Sequence, residues 1–308
     1  MRFLKLVVRV AVLGLAILFV PGCNRAPAHA KFATPDEAAA ALLQALKTDS
    51  LDKLQAIFGR DAMEASASGD PVSDRRDREV IALAMEQSWC WAPRGADRKE
   101  LVIGDEQWPF PAPLVRTGNE WQFDAKAGKE EVLARRIGRN ELGIVSLCRA
   151  YVGMQREYAS QPHDGKPAGF FAQRLRSTPG RQDGLYWPVK PGEKPSPLGD
   201  LAAEATAEGY DQNKSSSSPF WGYHFRILTA QGPAAPGGKK SYVANGDMAG
   251  GFALVAFPAK YGSSGVMTFI VNQDGVVYEK DLGEGTANQA TQLTEYNPDE
   301  SWTEVRVR

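Results

Sequence analysis

Three arginines have a spacing suited to binding chemistry. Arg135, Arg136 and Arg139 follow one another in a stretch with helical patterning. If the stretch is helical, Arg135 and Arg139 share one face, and two guanidinium groups there can hold an anionic group through paired hydrogen bonds. The same stretch carries acids that would pair with the arginines instead, namely Glu130, Glu131 and Glu141. The sequence leaves both alternatives open.

A second candidate is the aromatic loop at residues 185–188 (Leu-Tyr-Trp-Pro). Tyr186 and Trp187 would either line a groove for a glycan or a peptide, or cover one face of a sheet. Asp183 precedes the loop and would add a carboxylate to such a groove. A glycoside hydrolase requires only two carboxylates about 5–9 Å apart. Acids in a groove near Asp183, Arg135 and Arg139 therefore define a hydrolase alternative.

The common catalytic motifs are missing from the sequence. It has no phosphate-binding G-x-x-x-x-G-K-[ST] and no G-x-S-x-G nucleophile elbow. The S-x-x-K match at residues 50–53 is better explained by Ser50 as a helix cap. His163 and His224 are the only histidines beyond His29, and no recognisable triad accompanies them. We therefore assign no catalytic residue, no metal ligand and no cofactor from the sequence.

Composition places the chain among globular proteins. Its 308 residues are 43% apolar and 24% charged, which excludes a disordered chain, and their number predicts two domains. The net charge of −1 argues against nucleic-acid binding, because a nucleic-acid surface requires clustered positive charge.

The first residues have the pattern of a signal peptide. Arg2, Lys5 and Arg9 flank the start of an apolar run over residues 10–20, without any acid. The run is shorter than the about 20 apolar residues of a spanning helix. We expect residues 1–22 to be removed on export, which leaves a mildly acidic mature chain.

Two processing sites compete after this run. Residues 20–23 (Val-Pro-Gly-Cys) resemble a bacterial lipobox, in which Cys23 becomes the lipid-modified first residue, whereas residues 28–30 (Ala-His-Ala) fit ordinary signal peptidase. We favour Cys23, because it directly follows the apolar run, and expect residues 23–33 to form a tether. Asn24 differs from the Asp that retains lipoproteins at the inner membrane. The resemblance therefore implies the periplasmic face of the outer membrane, with a soluble periplasmic or secreted protein as the alternative.

The mature chain carries two further cysteines, Cys90 and Cys148. In an oxidising compartment they would form a disulfide worth about 3–4 kcal/mol. The alternative is two buried thiols, since Cys90 lies between two tryptophans and Cys148 lies on an apolar helix face.

Residues 34–128 are expected to form an N-terminal α+β domain. Thr34, Pro35 and Glu37 form a capping box before a first helix, and Ser50 caps a second. A third helix is predicted from Asp74 to Gln87. Three short strands follow at residues 101–103, 113–115 and 121–123, and the prolines between them favour a sheet edge.

Residues 129–308 are expected to form a second domain. Apolar residues at helical spacing predict a helix from Lys129 to about Ser160, with a break near Gly138 or Gly143. An antiparallel meander of four or five strands is predicted, with residues 252–257 as a central strand that is apolar on both faces, an Asp-Gly hairpin at residues 272–275, and Tyr242 and Val243 as an extra edge. Residues 160–220 are predicted to form a long, mostly irregular connection, which in compact domains is usually functional or disordered.

Much of the mature chain resembles a bacterial family classed as domain of unknown function, family 2950. Two of the matching motifs are Asp-Gly-Leu-Tyr-Trp-Pro at residues 183–188 and Gly-Gly-Phe-Ala-Leu-Val-Ala at residues 250–256. The resemblance implies no activity. The other matching segments are residues 129–131, 135–142, 148–152, 155–158, 178–180, 228–233, 261–262, 264–269 and 274–278.

Two narrower resemblances bear on fold and metal binding. Residues 155–158, 222–225, 261–265 and 274–276 are similar to motifs of type IV pilin-like heads, which implies a pilin-like second half without the pilin assembly helix. In many members of family 2950 the segment after Tyr158 resembles a calcium-binding loop. Here residues 160–165 keep only Asp164 and Gly165, and calcium requires several carboxylate oxygens, so no metal is carried over.

The sequence thus favours an α+β envelope protein that binds or assembles without catalysis. Its expected partners are the membrane, through the lipid anchor, and an envelope protein or glycan. A periplasmic hydrolase acting on an envelope polymer through groove carboxylates is the alternative.

Overall fold

The computed structural model describes residues 29–190, 192–207 and 218–306. The leader, Cys23 and the first part of the predicted tether lie outside these ranges. The helices are α1 (Pro35–Lys47), α2 (Leu51–Phe58), α3 (Arg60–Ser66), α4 (Pro71–Gln87), α5 (Ala125–Ala159), α6 (Gly199–Ala207) and α7 (Thr286–Gln292), with a 3₁₀ turn at Gly283–Gly285. Within the described ranges, no helix combines the length and apolar character needed to cross a bilayer.

Two antiparallel sheets dominate the strands. In the N-terminal sheet β1, β2, β4 and β5 follow one another, and β3 pairs with β2. In the C-terminal sheet the order is β14-β13-β12-β11-β6, and two small hairpins lie outside it. The strands are β1 (Trp89–Pro93), β2 (Arg98–Ile103), β3 (Trp108–Pro109), β4 (Leu114–Thr117), β5 (Glu120–Phe123), β6 (Tyr223–Leu228), β7 (Ala230–Gln231), β8 (Lys240–Ser241), β9 (Val243–Ala244), β10 (Asp247–Met248), β11 (Ala253–Pro258), β12 (Met267–Asn272), β13 (Val277–Asp281) and β14 (Thr303–Glu304).

The predicted helix caps are confirmed. Thr34 Oγ1 accepts a hydrogen bond from the main-chain N–H of Glu37 at 3.2 Å, and the Glu37 carboxylate accepts from Ala33 N at 3.0 Å. Ser50 Oγ likewise accepts from Lys53 N at 3.4 Å. The third predicted helix begins earlier than expected, at Pro71, because Asp70 caps it.

Each half has its own apolar core. In the N-terminal half, α1 and α2 pack on the sheet, and Phe58 contacts both Phe110 and Phe123 with ring centroids 5.5–6.3 Å apart. In the C-terminal half, Cys148 and Tyr151 of α5 are buried with the central strand β11, of which every residue is buried. The α+β architecture and the long helix packed on a C-terminal antiparallel sheet are thereby confirmed.

The predicted break in the long helix is wrong. Helix α5 runs without interruption over 35 residues, through Gly138 and Gly143. A glycine costs a helix about 1 kcal/mol relative to alanine. Contacts made by the residues between these two glycines outweigh that cost. Arg139 pairs with Asp77 of α4, and the Asn140 amide donates to Ser264 O at 2.9 Å.

One other expectation is corrected in the C-terminal half. Tyr242 and Val243 do not extend the main sheet: the Tyr242 hydroxyl is buried against Gln231 at 2.9 Å, and Val243 begins the separate β9–β10 hairpin. In its described part, the connection at residues 160–220 is mostly irregular as predicted, and it also contains the short helix α6. The hairpin at residues 272–275 is confirmed between β12 and β13, with Gly275 at φ 82°.

Asp70 joins the two halves of the protein. Its Oδ1 caps α4 by accepting from Val72 N and Ser73 N at 3.1 and 3.2 Å, and its Oδ2 accepts from Gly222 N at 3.0 Å. The side chain is almost fully buried. Gly222 is required there, because it has φ 76° and a Cβ would lie 2.8 Å from the Asn140 amide nitrogen.

Two half-buried carboxylates lie where α5 meets the C-terminal sheet. Glu141 of α5 accepts from Val266 N and Met267 N at 2.8 and 2.9 Å, which holds the helix at the start of β12. Glu279 of β13 is half-buried, and its carboxylate has no hydrogen bond or ion pair with the residues described. Burial raises the pKa of the Glu279 carboxyl, and the nearby Glu141 charge raises it further.

We predict that Asp70→Ala lowers the free energy of unfolding by about 2–4 kcal/mol, because it removes a helix cap and leaves the buried Gly222 N–H without an acceptor. Urea denaturation measures the change. Asp52→Ala is the matched control, since Asp52 is exposed and its side chain makes no hydrogen bond or ion pair within the described ranges. It should cost at most about 0.5 kcal/mol. Equal losses for the two variants would contradict the role given to Asp70.

We predict that Glu279→Gln stabilises the protein at neutral pH. A carboxyl whose folded-state pKa is raised favours folding when it is protonated, and that contribution is lost as pH rises above the folded-state pKa. The variant avoids this loss, so its melting temperature should exceed the parent's by on the order of 2 °C at pH 7, and the two should converge near pH 3. Thermal unfolding across this range checks the prediction. Glu304→Gln, on the exposed edge strand, is the control and should show no such pH-dependent gain.

Candidate functional site

The structure uses the three predicted arginines to connect elements. Arg135 donates to Glu131 at 2.6 Å and to Pro109 O at 2.7 Å, and lies 4.8 Å from the Trp108 ring centroid. Arg139 pairs with Asp77 of α4 at 2.7 Å. Arg136 is buried against α4, and its guanidinium nitrogens lie 3.5 Å from carboxylate oxygens of Asp74 and Asp77. Arg135 and Arg139 thus pair with acids of the protein itself, and Arg135 pairs with a glutamate of its own stretch, as in the alternative that the sequence left open.

The two remaining cysteines are free in the structure. Cys148 is fully buried in the C-terminal core, whereas Cys90 is exposed on β1 of the N-terminal sheet. The disulfide alternative is therefore not formed, and the expectation that Cys90 is buried is wrong, because its strand faces solvent there. Burial raises the pKa of the Cys148 thiol to about 12, so this thiol stays protonated and unreactive.

A cleft of about 220 Å³ opens at the carboxyl end of α5. We call it the loop cleft, because most of its walls come from the connection that follows the helix. The β9–β10 hairpin closes one side. The lining residues are Tyr158, His163, Asp164, Lys166, Phe170, Phe171, Gln173, Arg174, Arg181, Asp183, Asp247 and Met248.

A tight turn positions the first charged residues of the loop cleft. His163 and Lys166 exchange main-chain hydrogen bonds at 2.9 and 3.1 Å, and between them Asp164 and Gly165 have φ 50° and 78°. Positive φ at both central residues is typical of a type I′ hairpin, for which Asp-Gly is a favoured pair. The segment that resembles a calcium loop in relatives is therefore a hairpin here. Within the described ranges, no group of three or more His, Cys, Asp or Glu residues is arranged to hold a metal ion.

Aromatic side chains stack at the base of the loop cleft. The His163 ring lies parallel to Tyr158 with centroids 4.1 Å apart, and Trp187 contacts His163 edge-on at 5.4 Å. The Tyr158 hydroxyl donates to Gln182 O at 2.6 Å. Burial raises the pKa of Tyr158 to about 12, with further contributions from Asp164 and Asp183. The phenol is therefore a neutral structural group at physiological pH.

Asp183 is held in its charged form. Partial burial by itself would raise the pKa of Asp183, but two hydrogen bonds from Thr178 and the Arg181 and Arg174 guanidinium groups outweigh it and lower the pKa. The Thr178 N–H and hydroxyl donate at 2.7 and 2.8 Å, and each guanidinium Nε lies 3.9 Å away. A glycosidase general acid requires the opposite shift.

Arg174 and Arg181 are lining residues of the loop cleft whose guanidinium N–H donors are only partly in use. Their side chains are 64% and 53% exposed. Arg181 Nε lies 3.2 Å from Asp164, yet the hydrogen bonds of the described residues leave the Nη atoms of both arginines without an acceptor. An arginine has five N–H donors, so each guanidinium keeps a fork available to a ligand.

Of the predicted site residues, Asp183 and the aromatic loop lie at or near the loop cleft, whereas the three arginines contact β3 and α4. Asp183 lines the cleft. Trp187 packs edge-on against Tyr158 and His163, which belong to the lining. Tyr186 lies outside the lining, with the Arg176 guanidinium 5.4 Å from its ring centroid. The sequence reasoning missed Lys166, Arg174, Arg181 and Asp247. For the first three, the available signal was the unusual length of the connection and the four cations that it carries between Asp164 and Asp183. Asp247 lies outside this connection, in β10.

Comparison with known proteins identifies a family and no closer relative. No curated protein and no solved structure has significant similarity to the chain. The resemblance to pilin-like heads accordingly stays a prediction. The model of DUF2950, described as a protein of unknown function, matches residues 29–305. This match includes the long helix, both sheets and the loop cleft, and the chain belongs to the DUF2950 family.

Proposed function

We propose that this protein is an exported, lipid-anchored component of the bacterial cell envelope that binds a ligand in the loop cleft and performs no chemistry on it. The leader pattern and Cys23 support the location. The composition of the loop cleft supports the activity.

One observation carries the binding proposal: the loop cleft combines available donors with carboxylates that are already paired. Arg174 and Arg181 keep unused guanidinium forks among the described residues. Asp183 is charged and hydrogen-bonded, and Asp247 pairs with Lys166. Donors of this kind recognise a ligand, while carboxylates held by cations are poor proton donors.

The hydrolase alternative has less support. Asp183 lines the loop cleft, whereas Arg135 and Arg139 make their contacts with β3 and α4 and are not part of its lining. Glu279, the carboxyl with a raised pKa, lies at the contact between α5 and the C-terminal sheet. This separation of Asp183 from the two arginines supports binding over the hydrolase alternative.

We predict that envelope capture depends on the loop cleft. The double variant Arg174→Gln and Arg181→Gln should recover at least about tenfold less crosslinked envelope material than the parent protein, because both donors are lost. The control is Arg94→Gln with Arg116→Gln, which alters two exposed, ion-paired arginines of the N-terminal half. Quantitative crosslinking from intact cells measures recovery. Equal recovery with both double variants would reject the loop cleft as the binding site.

The same preparations separate binding from hydrolysis. Incubation with peptidoglycan or envelope glycan should release no fragments from either substrate. Release that Asp183→Asn abolishes, and that Asp52→Asn leaves unchanged, would instead establish the hydrolase alternative.

We predict that the mature protein begins at an acylated Cys23. Mass spectrometry of the N-terminal peptide should show the lipid mass on this residue, and Cys23→Ser should release the protein from the membrane fraction. An unmodified N-terminus at Lys31 would contradict lipid anchoring and establish cleavage after Ala30.

A further inference from the structure

We propose that the ligand of the loop cleft is a short peptide with both ends free, which carries an ammonium group at one end and a carboxylate at the other. This inference rests on the proposed binding function and specifies its ligand. The carboxylate would bind the guanidinium forks of Arg174 and Arg181, and the ammonium group would bind Asp247.

The first argument is the balance of charge around the loop cleft. Its lining contains the cations Lys166, Arg174 and Arg181 and the anions Asp164, Asp183 and Asp247. A ligand with charge of one sign would be repelled by half of these groups. A ligand with both signs meets a partner for each charge, and such complementarity is what gives polar recognition its specificity.

The second argument is that both the cations and an anion of the loop cleft have hydrogen-bonding atoms that are not in use. The Nη donors of Arg174 and Arg181 have no acceptor among the described residues. Asp247 contacts Lys166 through Oδ1, its Oδ2 has no partner in those residues, and its side chain is 26% exposed. Paired N–H donors fit the two oxygens of a carboxylate, and a free carboxylate oxygen fits an ammonium group.

The third argument is that short, fixed elements hold these groups. Asp247 begins β10 directly after a turn in which Asn245 and Gly246 have φ 52° and 83°. The Gln173 amide donates to Gly246 O at 2.8 Å, and Phe171 N donates to Met248 O at 2.7 Å. The strand bearing the acid is therefore bound to the segment that leads to Arg174, which limits the ordering cost of binding.

The size and apolar part of the loop cleft fit a short peptide. At about 220 Å³ it is smaller than the roughly 300–1,000 Å³ of pockets for drug-sized ligands. Phe170 and Phe171 supply apolar surface within the lining. Such a site holds one or two residues with their charged groups, whereas a neutral glycan would leave the guanidinium Nη donors and the Asp247 Oδ2 without a charged partner.

Calorimetric titration of the full-length protein in detergent tests this inference. The probes are the dipeptide alanyl-phenylalanine with free ends, its N-acetyl form, its C-terminal amide, the doubly blocked form, and a neutral chitin tetrasaccharide. The free dipeptide should bind most tightly, and blocking either end should weaken binding about tenfold, because each end makes a charge-assisted contact.

Single variants assign each end of the peptide to its partner. Arg174→Gln should weaken binding of the free and N-acetyl peptides about tenfold and leave the amide unchanged, whereas Asp247→Asn should weaken the free and amide forms and leave the N-acetyl peptide unchanged. Arg116→Gln should change none of these affinities.

Three outcomes would overturn the inference. They are equal binding of free and doubly blocked peptides, tighter binding of the tetrasaccharide than of any peptide, and no peptide binding at about 1 mM. If these occur while envelope capture still depends on Arg174 and Arg181, the peptide ligand is wrong and the proposed binding function stands. If capture is also independent of them, the proposed function fails with it.

Discussion

Helix α5 is the element on which the remaining structure depends, because its two halves lie in different surroundings. The carboxyl half is in an apolar environment and the amino half is in a charged one. Its carboxyl half buries Ile144, Cys148 and Tyr151 against the C-terminal sheet. Its amino half turns buried Arg136 toward Asp74 and Asp77 of α4. Removing one partner of a buried ion pair leaves an uncompensated charge, which is costly. The ion pair therefore fixes which face of α5 can meet the N-terminal half, and the apolar face is then directed to the sheet.

Local features of the fold could be predicted from the sequence, and features that join distant segments could not. Thr34 and Ser50 caps, the hairpin at residues 272–275 and the central strand β11 depend on neighbouring residues or on a simple period, and the structure confirms them. The continuity of α5 through Gly138 depends instead on contacts with α4 and with Ser264. Helical propensity carries no information about such contacts, so it predicted a break.

The contacts of the candidate site were even harder to predict from the sequence than those of the fold. The sequence singled out Arg135 and Arg139 because spacing on one helix can be read directly. Lys166 and Asp247 meet only because the β9–β10 hairpin packs against the connection after α5. Asp183 was identified through its neighbouring aromatic loop, and the structure places it in the loop cleft. Its ion-pair partners Arg174 and Arg181 lie in a connection without helical or strand periodicity, where spacing gives no indication of contact.

The unbroken length of α5 also sets a distance within the molecule. At about 1.5 Å per residue its 35 residues extend roughly 50 Å. One end lies close against the N-terminal half, where a Cβ on Gly128 would stand 2.6 Å from that of Ala112, and the other end carries Tyr158 at the loop cleft. The helix therefore acts as a rigid spacer, and the position of the cleft relative to the N-terminal half is determined by helical rise and not by the flexibility of a linker.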